Sequence, residues 1–160
     1  MKSSHFDEKG SARMVDVSKK KITIRKAAAL AKVYMKKATL NMIINGEHKK
    51  GDVLAIARIA GIMGAKKTSV LIPLCHPIAI EAIQLDYKID KQQNCIVINS
   101  ICKTTNKTGI EIEALTAVSI ASLTIYDMCK SVDRAMYIDS VMLTHKSGGK
   151  SGTFNKNDKH

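Results

Sequence analysis

None of the four cysteines, Cys75, Cys95, Cys102 and Cys129, stands in a C-x-x-C pair, which excludes a zinc ribbon and a thioredoxin-like redox motif. The N-terminus, MKSSHFDEKGSARM, lacks the apolar core of a secretory leader. With so few cysteines for the length, reduced thiols and a cytoplasmic location are expected. Also missing is any uncharged apolar run of the roughly 20 residues that span a bilayer, so a soluble protein without a membrane partner is expected. Aromatics are scarce, two Phe and four Tyr, and no segment carries the K/R-G-F/Y-G/A-F pattern with which RNA-binding sheets stack bases. A nucleic-acid-binding sheet thus lacks its stacking platform, and no nucleic acid partner is expected. Acidic residues are the minority: 14 Asp and Glu face 26 Lys and Arg, a formal charge of +12 that favours an anionic partner. The lysines fall in scattered pairs such as Lys36–Lys37, Lys49–Lys50 and Lys66–Lys67, most of which read as solvated surface.

What is present suffices for one domain: 160 residues, 45% of them apolar, can bury a real core but not two. Residues 1–12 are polar, and the end of the chain, from Ser151 into a tail over 155–160, has little to bury. Both are expected to be flexible, framing a single domain over 13–154. Within it MVDVS (14–18) reads as a short extended piece. KITIRKAAALAKVYM reads as a strand, its Ile22, Ile24 and alternating small residues fitting an exposed one, although its alanines also suit a helix. A short helix over Ala38–Ile44 should stop at Asn45-Gly46. Asp52 can cap a helix DVLAIARIAGIMGAKK, in which Val53, Ile56, Ala57, Ala60 and Met63 recur at helical spacing. AIEAIQLDYKID and NCIVINSICKTT form a hairpin across the polar turn 90–93, a long helix follows, and YIDSVMLTHK closes as a strand. The order strand, helix, strand, strand, helix, strand predicts an α+β, ferredoxin-like βαββαβ arrangement: a mixed sheet with helices on one face. The uncovered sheet face would then carry apolar residues, which points to an oligomer.

The long helix is read over Lys107–Lys130, KTGIEIEALTAVSIASLTIYDMCK. Its middle, LTAVSIASLTI, has no charge and belongs in a core or an interface. Glu111 and Glu113 stand at one end, Asp127 and Lys130 at the other. Asp127 and Lys130, three apart, share a face and could exchange a proton or hold one substrate, or form a plain ion pair. At 1.5 Å rise per residue, Glu113 and Asp127 lie roughly 20 Å apart, too far for one small-molecule pocket on one helix. Two pockets, or one pocket shared between two copies of the chain, would reconcile them; the shared pocket is the favoured reading. Elsewhere Ile72-Pro73-Leu74-Cys75-His76-Pro77 presents a thiol and an imidazole between two stiffening prolines. No second His or Cys has ligand-like spacing to them, so no metal site is expected. Ser147-Gly148-Gly149-Lys150-Ser151-Gly152 suggests an anion-holding loop but not a Walker A motif, because Thr144 occupies the position of its first glycine. Lys146, held by the preceding strand, is the better phosphate contact.

In order along the chain, MVDVS (14–18), KKGDV (49–53), ARIAGI (57–62), IPLCHP (72–77), KTGIEIEALTA (107–117), TIYDMCK (124–130) and KSGGKSG (146–152) together resemble the MoaC family of molybdenum cofactor biosynthesis. The resemblance runs from about Arg13 to Phe154. It implies a ferredoxin-like α+β fold and a hexamer built as a trimer of dimers, with the pocket between subunits. It implies a phosphorus–oxygen lyase that takes a cyclised dihydro-GTP intermediate to cyclic pyranopterin monophosphate and releases pyrophosphate. By the same resemblance Asp127 and Lys130 are a general acid/base couple, and Lys50 and Lys146 hold phosphates. Leu74, Cys75 and His76 form a substrate loop, Glu111, Ile112 and Glu113 contact the pterin, and Arg25 belongs to the phosphate region. No resident cofactor is implied, and Mg²⁺ travelling with the triphosphate is the one cation left open. Ile112 departs from the family, which usually has Met there; an apolar contact survives that change, a thioether role does not. A basic nucleic-acid-binding module and a purely structural oligomer are the competing readings.

Overall fold

The computed structural model describes residues 9–156; the flexibility expected of residues 1–8 and 157–160 lies outside the described residues. Strand β1 (Thr23–Tyr34) is followed by helices α1 (Lys37–Ile44), α2 (Val53–Lys66) and α3 (Thr68–Leu71). Strands β2 (Ala82–Asp90) and β3 (Cys95–Asn106), helix α4 (Glu111–Cys129), and strands β4 (Tyr137–Ser147) and β5 (Phe154–Asn155) complete the chain. One five-stranded sheet has the order β2-β3-β1-β4-β5. Its first four strands have the ferredoxin-like βαββαβ order, with α4 across β1, β3 and β4, and α2 packed on α4. Every strand pair is antiparallel, so the sheet is not mixed as expected. β1 and β2 do run the same way, but β3 lies between them and leaves no parallel neighbours.

The alanine-rich β1 is a strand because α4 needs a flat, small-residue surface. Ala27, Ala29, Ala31 and Val33 alternate toward the helices and are fully or almost fully buried. They meet Ala114, Ala117, Val118, Ala121 and Ile125 in one core. Ser100 Oγ donates to the Ala114 carbonyl at 2.8 Å, tying β3 to α4. The opposite sheet face differs from the expected apolar one. Cross-strand rows Lys32/Val97/Lys88 and Leu30/Asn99/Asp86 mix charge with apolar side chains.

Asp52 caps α2 as read, its Oδ1 accepting from the amides of Leu54 and Ala55 at 3.0 Å each. The helix turns its small residues inward: Val53, Ala57, Gly61, Gly64 and Ala65 are buried. Ile56 and Met63, expected on the core face, are 41% and 53% exposed. A Cβ on Gly61 would stand 2.8 Å from the Ala117 carbonyl oxygen, and one on Gly64 2.6 Å from Ile120 Cγ1. α2 and α4 therefore approach too closely for larger side chains, and the bulky ones are driven outward. Gly61→Ala is expected to cost about 1–3 kcal/mol, because a backbone oxygen cannot step aside. A lower urea midpoint at unchanged slope would register it.

Helix α4 begins at Glu111, four residues later than read, because Lys107–Ile110 form a turn. By length and composition alone α4 could cross a membrane, but half of that window is buried in the core. Phe154–Asn155 pairs with His145–Lys146, so ordered sheet extends past the expected boundary at 154. Met14–Val17, read as extended, joins no ladder.

Asp133, 1% exposed, fixes the join between α4 and β4 to the start of α1. Its Oδ2 accepts from Lys36 N at 2.8 Å and Thr39 Oγ1 at 3.1 Å, and its Oδ1 from Ala135 N at 3.1 Å. Burial alone would raise this carboxyl, but those hydrogen bonds outweigh it and hold it below its ordinary value. Its stabilisation is therefore complete above the unfolded carboxyl value of about 3.9 and is lost as pH falls through the lower folded value. Asp133→Ala is expected to cost about 2–4 kcal/mol at neutral pH. Thermal unfolding of the two proteins should begin to converge as pH falls below that unfolded value of about 3.9, and go on converging through the lower folded value.

Candidate active site

The two ends of α4 carry separate clusters. At its start, Glu111 pairs with Lys146 of β4, Oε1 to Nζ 3.1 Å, both side chains little more than a quarter exposed. Lys146 Nζ also donates to Ser151 Oγ at 3.3 Å, bringing the glycine loop onto the pair. Arg25 of β1 binds that loop from below. Its Nη1 donates to the Gly148 carbonyl at 3.0 Å, Nη2 to Lys107 at 3.3 Å and Nε to Asn106 at 3.4 Å. Gly148 and Gly149 have φ of +93° and +78° and lie against β1, where a side chain on Gly149 would overlap the Arg25 guanidinium.

Glu113, in the same first turn of α4 as Glu111, is 3% exposed. Burial pushes its carboxyl up, and the Glu111 charge adds to that, against a lowering by its own amide. Burial and Glu113 together raise Cys75, and they push Cys102 up to about 12. Burial thus disfavours the Cys75 thiolate, the nucleophilic form of the group. A small cavity of about 170 Å³ brings Leu74, Cys75, His76, Ile112, Glu111 and Glu113 together, six of the seven residues expected on the substrate, while Arg25 lines the neighbouring cavity instead. Asp16, from MVDVS, stands near them. Its carboxyl is lowered by hydrogen bonds from Ser18, and then by the charges of Lys107 and His76.

Beside this cavity, and sharing Thr108, Gly109 and Glu111 with it, opens a larger one of about 790 Å³. Six cationic side chains line it, Lys19, Lys20, Lys21, Arg25, Lys107 and Lys150, against the single carboxylate of Glu111. Of these only Arg25 was read as a site residue; the run Lys19–Lys21 was hidden among twenty-six basic residues. Its consecutive spacing beside MVDVS was the available signal.

At the far end, Lys130 Nζ donates to Asp127 Oδ1 at 2.6 Å, and Lys50 Nζ reaches the Asp127 carbonyl at 3.4 Å. Asp127 and Lys130 are 62% and 54% exposed. Each holds the other charged: the hydrogen bond lowers the Asp127 carboxyl and raises the Lys130 ammonium. Lys50 therefore groups with Asp127 and Lys130, not with Lys146. Within one chain the two clusters stand at opposite ends of a helix about 27 Å long. Among the described residues no three His, Cys, Asp or Glu side chains converge as a metal site.

Fold and site define an α+β protein with a lysine-lined cavity beside titratable groups. The chain belongs to the MoaC family, whose pattern it matches over residues 14–149. Three similar proteins are each named cyclic pyranopterin monophosphate synthase. That of Thermoanaerobacter pseudethanolicus is 53% identical over 156 residues, 98% of this chain and 99% of its own. Those of Clostridium acetobutylicum and Heliobacterium modesticaldum are 56% and 54% identical, over 96% and 94% of this chain and 95% of each relative.

Proposed function

We propose that this chain is a cyclic pyranopterin monophosphate synthase acting in molybdenum cofactor biosynthesis. Its substrate is the cyclised dihydro-GTP intermediate, and it releases pyrophosphate. The observation that carries this reading is the near full-length likeness to proteins of that name, spanning both ends of α4. Forming the cyclic phosphate requires a substrate hydroxyl oxygen to bond to the α-phosphorus while the α–β bridging P–O bond breaks. The hydroxyl proton goes to a base, and pyrophosphate leaves with the bridging oxygen and its charge.

The Asp127–Lys130 pair starts as carboxylate and ammonium, so Lys130 is the proton donor of the couple and Asp127 the acceptor. Lys50 steadies the pair and meets substrate charge from the same side, and Lys146 holds phosphate at the other cluster. Cys75, His76, Ile112 and the raised carboxyl of Glu113 form the pterin wall. Arg25 is a positioning residue, since all three donor nitrogens in contact serve backbone carbonyls. Mg²⁺ enters, where it does, with the triphosphate and not as a resident ion.

The clusters at the two ends of α4 meet when two copies pair, each lending one end to a shared pocket. An outward apolar face on the helical layer, Ile56, Ile59, Met63, Val70, Leu71 and Leu123, supports assembly and is the kind of surface a trimer of dimers would cover. A GTP-derived substrate supports a cytoplasmic setting. The test is turnover of purified protein on the cyclised dihydro-GTP intermediate. One pyrophosphate per pyranopterin is expected, and either product without the other contradicts the reading.

A further inference from the structure

We propose that His48 is a positioning residue for the reaction: its imidazole fixes the turn that carries Lys50 to Asp127. The inference rests on the reaction proposed above for the use made of Lys50, but the turn itself is independent of it. Residues 44–52, which link α1 to α2, are exposed with one exception, His48, which is 7% exposed. Packing alone would be met by an apolar side chain, as it is at Ile43 and Val53 on either side. The ring has a polar task instead. Its Nδ1 accepts from the Lys50 amide at 3.2 Å, and the His48 carbonyl accepts from the Gly51 amide at 3.0 Å, so one residue holds two successive amides. Nδ1 accepts only when it carries no proton, which places the ring hydrogen on Nε2. Gly51, at φ +91°, completes the turn, and Asp52 then caps α2.

A lysine side chain is a flexible four-carbon stem, so the backbone beneath it decides which way its ammonium is sent. Lys49 and Lys50 are chemically alike, adjacent and both exposed. It is Lys50 whose Nζ reaches the Asp127 carbonyl, at 3.4 Å. Its charge also helps to hold the Asp127 carboxyl down, after the larger effect of Lys130. The hydrogen bond from the Lys50 amide to Nδ1 fixes the backbone at the residue from which that side chain departs. Among the described residues His48 makes no hydrogen bond to Asp127 or Lys130, so it acts on the pair through Lys50. A buried acceptor that orders an exposed lysine from below places the ammonium before substrate arrives, and the cost of ordering it is met in folding instead of in the reaction.

Asparagine and glutamine separate the two ring nitrogens. The amide oxygen of Asn stands where Nδ1 does and accepts from the amide two residues on, whereas that of Gln reaches the position of Nε2. Turnover of the cyclised dihydro-GTP intermediate, hydrogen exchange at the Lys50 amide and the unfolding midpoint are measured for the wild type, His48→Asn, His48→Gln, Lys50→Ala and the double variant His48→Gln/Lys50→Ala. His48→Asn is expected to keep most of the wild-type kcat and the protection of the Lys50 amide. His48→Gln should lose at least about tenfold in kcat and exchange faster at Lys50, as a catalytic group misplaced by roughly 1 Å would require, at an unfolding midpoint matching that of His48→Asn. In a chain already lacking the Lys50 ammonium, His48→Gln should cost nothing further. Equal kcat in His48→Asn and His48→Gln, whether kept or lost, overturns the proposal, and so does a full further loss on the Lys50→Ala background. Faster Lys50 exchange in His48→Gln but not in His48→Asn, in a protein whose wild type turns nothing over, keeps the hold of His48 on Lys50 and discards the reaction.

Discussion

Lys130→Ala is expected to lower pyrophosphate release by about 10²–10⁴-fold, the range that a lost general acid or base commands. The cause is local. Lys130 stands just past the last turn of α4, more than half exposed, with Asp127 its side-chain hydrogen-bond partner at 2.6 Å. Removing it deletes a proton donor and leaves the core untouched, and an exposed pair contributes only about 0–1 kcal/mol to folding. Activity should therefore collapse while the unfolding midpoint and the oligomer stay as they are. Asp127→Asn should do the same, and the double variant should be no worse than either alone, because the two act as one unit. Full turnover by Lys130→Ala would place the chemistry elsewhere.

Gly149→Ala should remove activity by about 10²-fold or more from the opposite end of α4, by misplacing the groups held there. The new Cβ would occupy the space of the Arg25 guanidinium, and the backbone at φ +78° disfavours any side chain. Arg25 cannot yield without breaking its bonds to Asn106, Lys107 and Gly148. The loop bearing Lys150 and Ser151 must shift instead, and Ser151 takes with it a partner of Lys146. Steady-state kinetics on this variant, and on one that also carries Arg25→Ala, checks the cause. If the collision is responsible, the two changes combine to much less than the sum of their separate effects. Strict additivity would mean that the glycine matters for another reason.

The fold was legible where burial follows a simple period. β1 reads correctly as a strand, although the exposed strand it suggested lies centrally between β3 and β4 with Ala27, Ala29, Ala31 and Val33 buried, and α2 reads correctly because Asp52 announces it. Its inner face was misread because apolar size was taken as a sign of burial. Ile56 and Met63 are large and point outward, since Gly61 and Gly64 let α4 come too close for them. The sheet was expected to be mixed from the order of its elements; β1 and β2 do run the same way, and only the insertion of β3 between them, a tertiary fact, makes every pair antiparallel. The two-residue β5 has no pattern of its own; β4 creates it.

The site divides in the same way. Asp127 with Lys130 and the Cys75–His76 loop are local in sequence and were plain. Lys50 joins Asp127 across 77 residues, and Lys146 reaches Glu111 across more than thirty, so their sorting into different clusters needed the fold. Lys19–Lys21 gained meaning only when α4, β1 and the glycine loop closed a cavity around them.

A pocket shared between two copies makes a demand that no single-chain site meets. Lys130→Ala and Lys146→Ala each disable one end of α4, and each alone should be inactive. The most direct measurement unfolds the two variants together in equal amounts, refolds them into mixed oligomers, and assays pyrophosphate release. A site that takes one end from each of two chains will be intact in about a quarter of cases by random pairing, so about a quarter of wild-type activity should return. If each chain houses its own complete site, every site in the mixture carries one lesion, and no activity above that of the separate variants will appear.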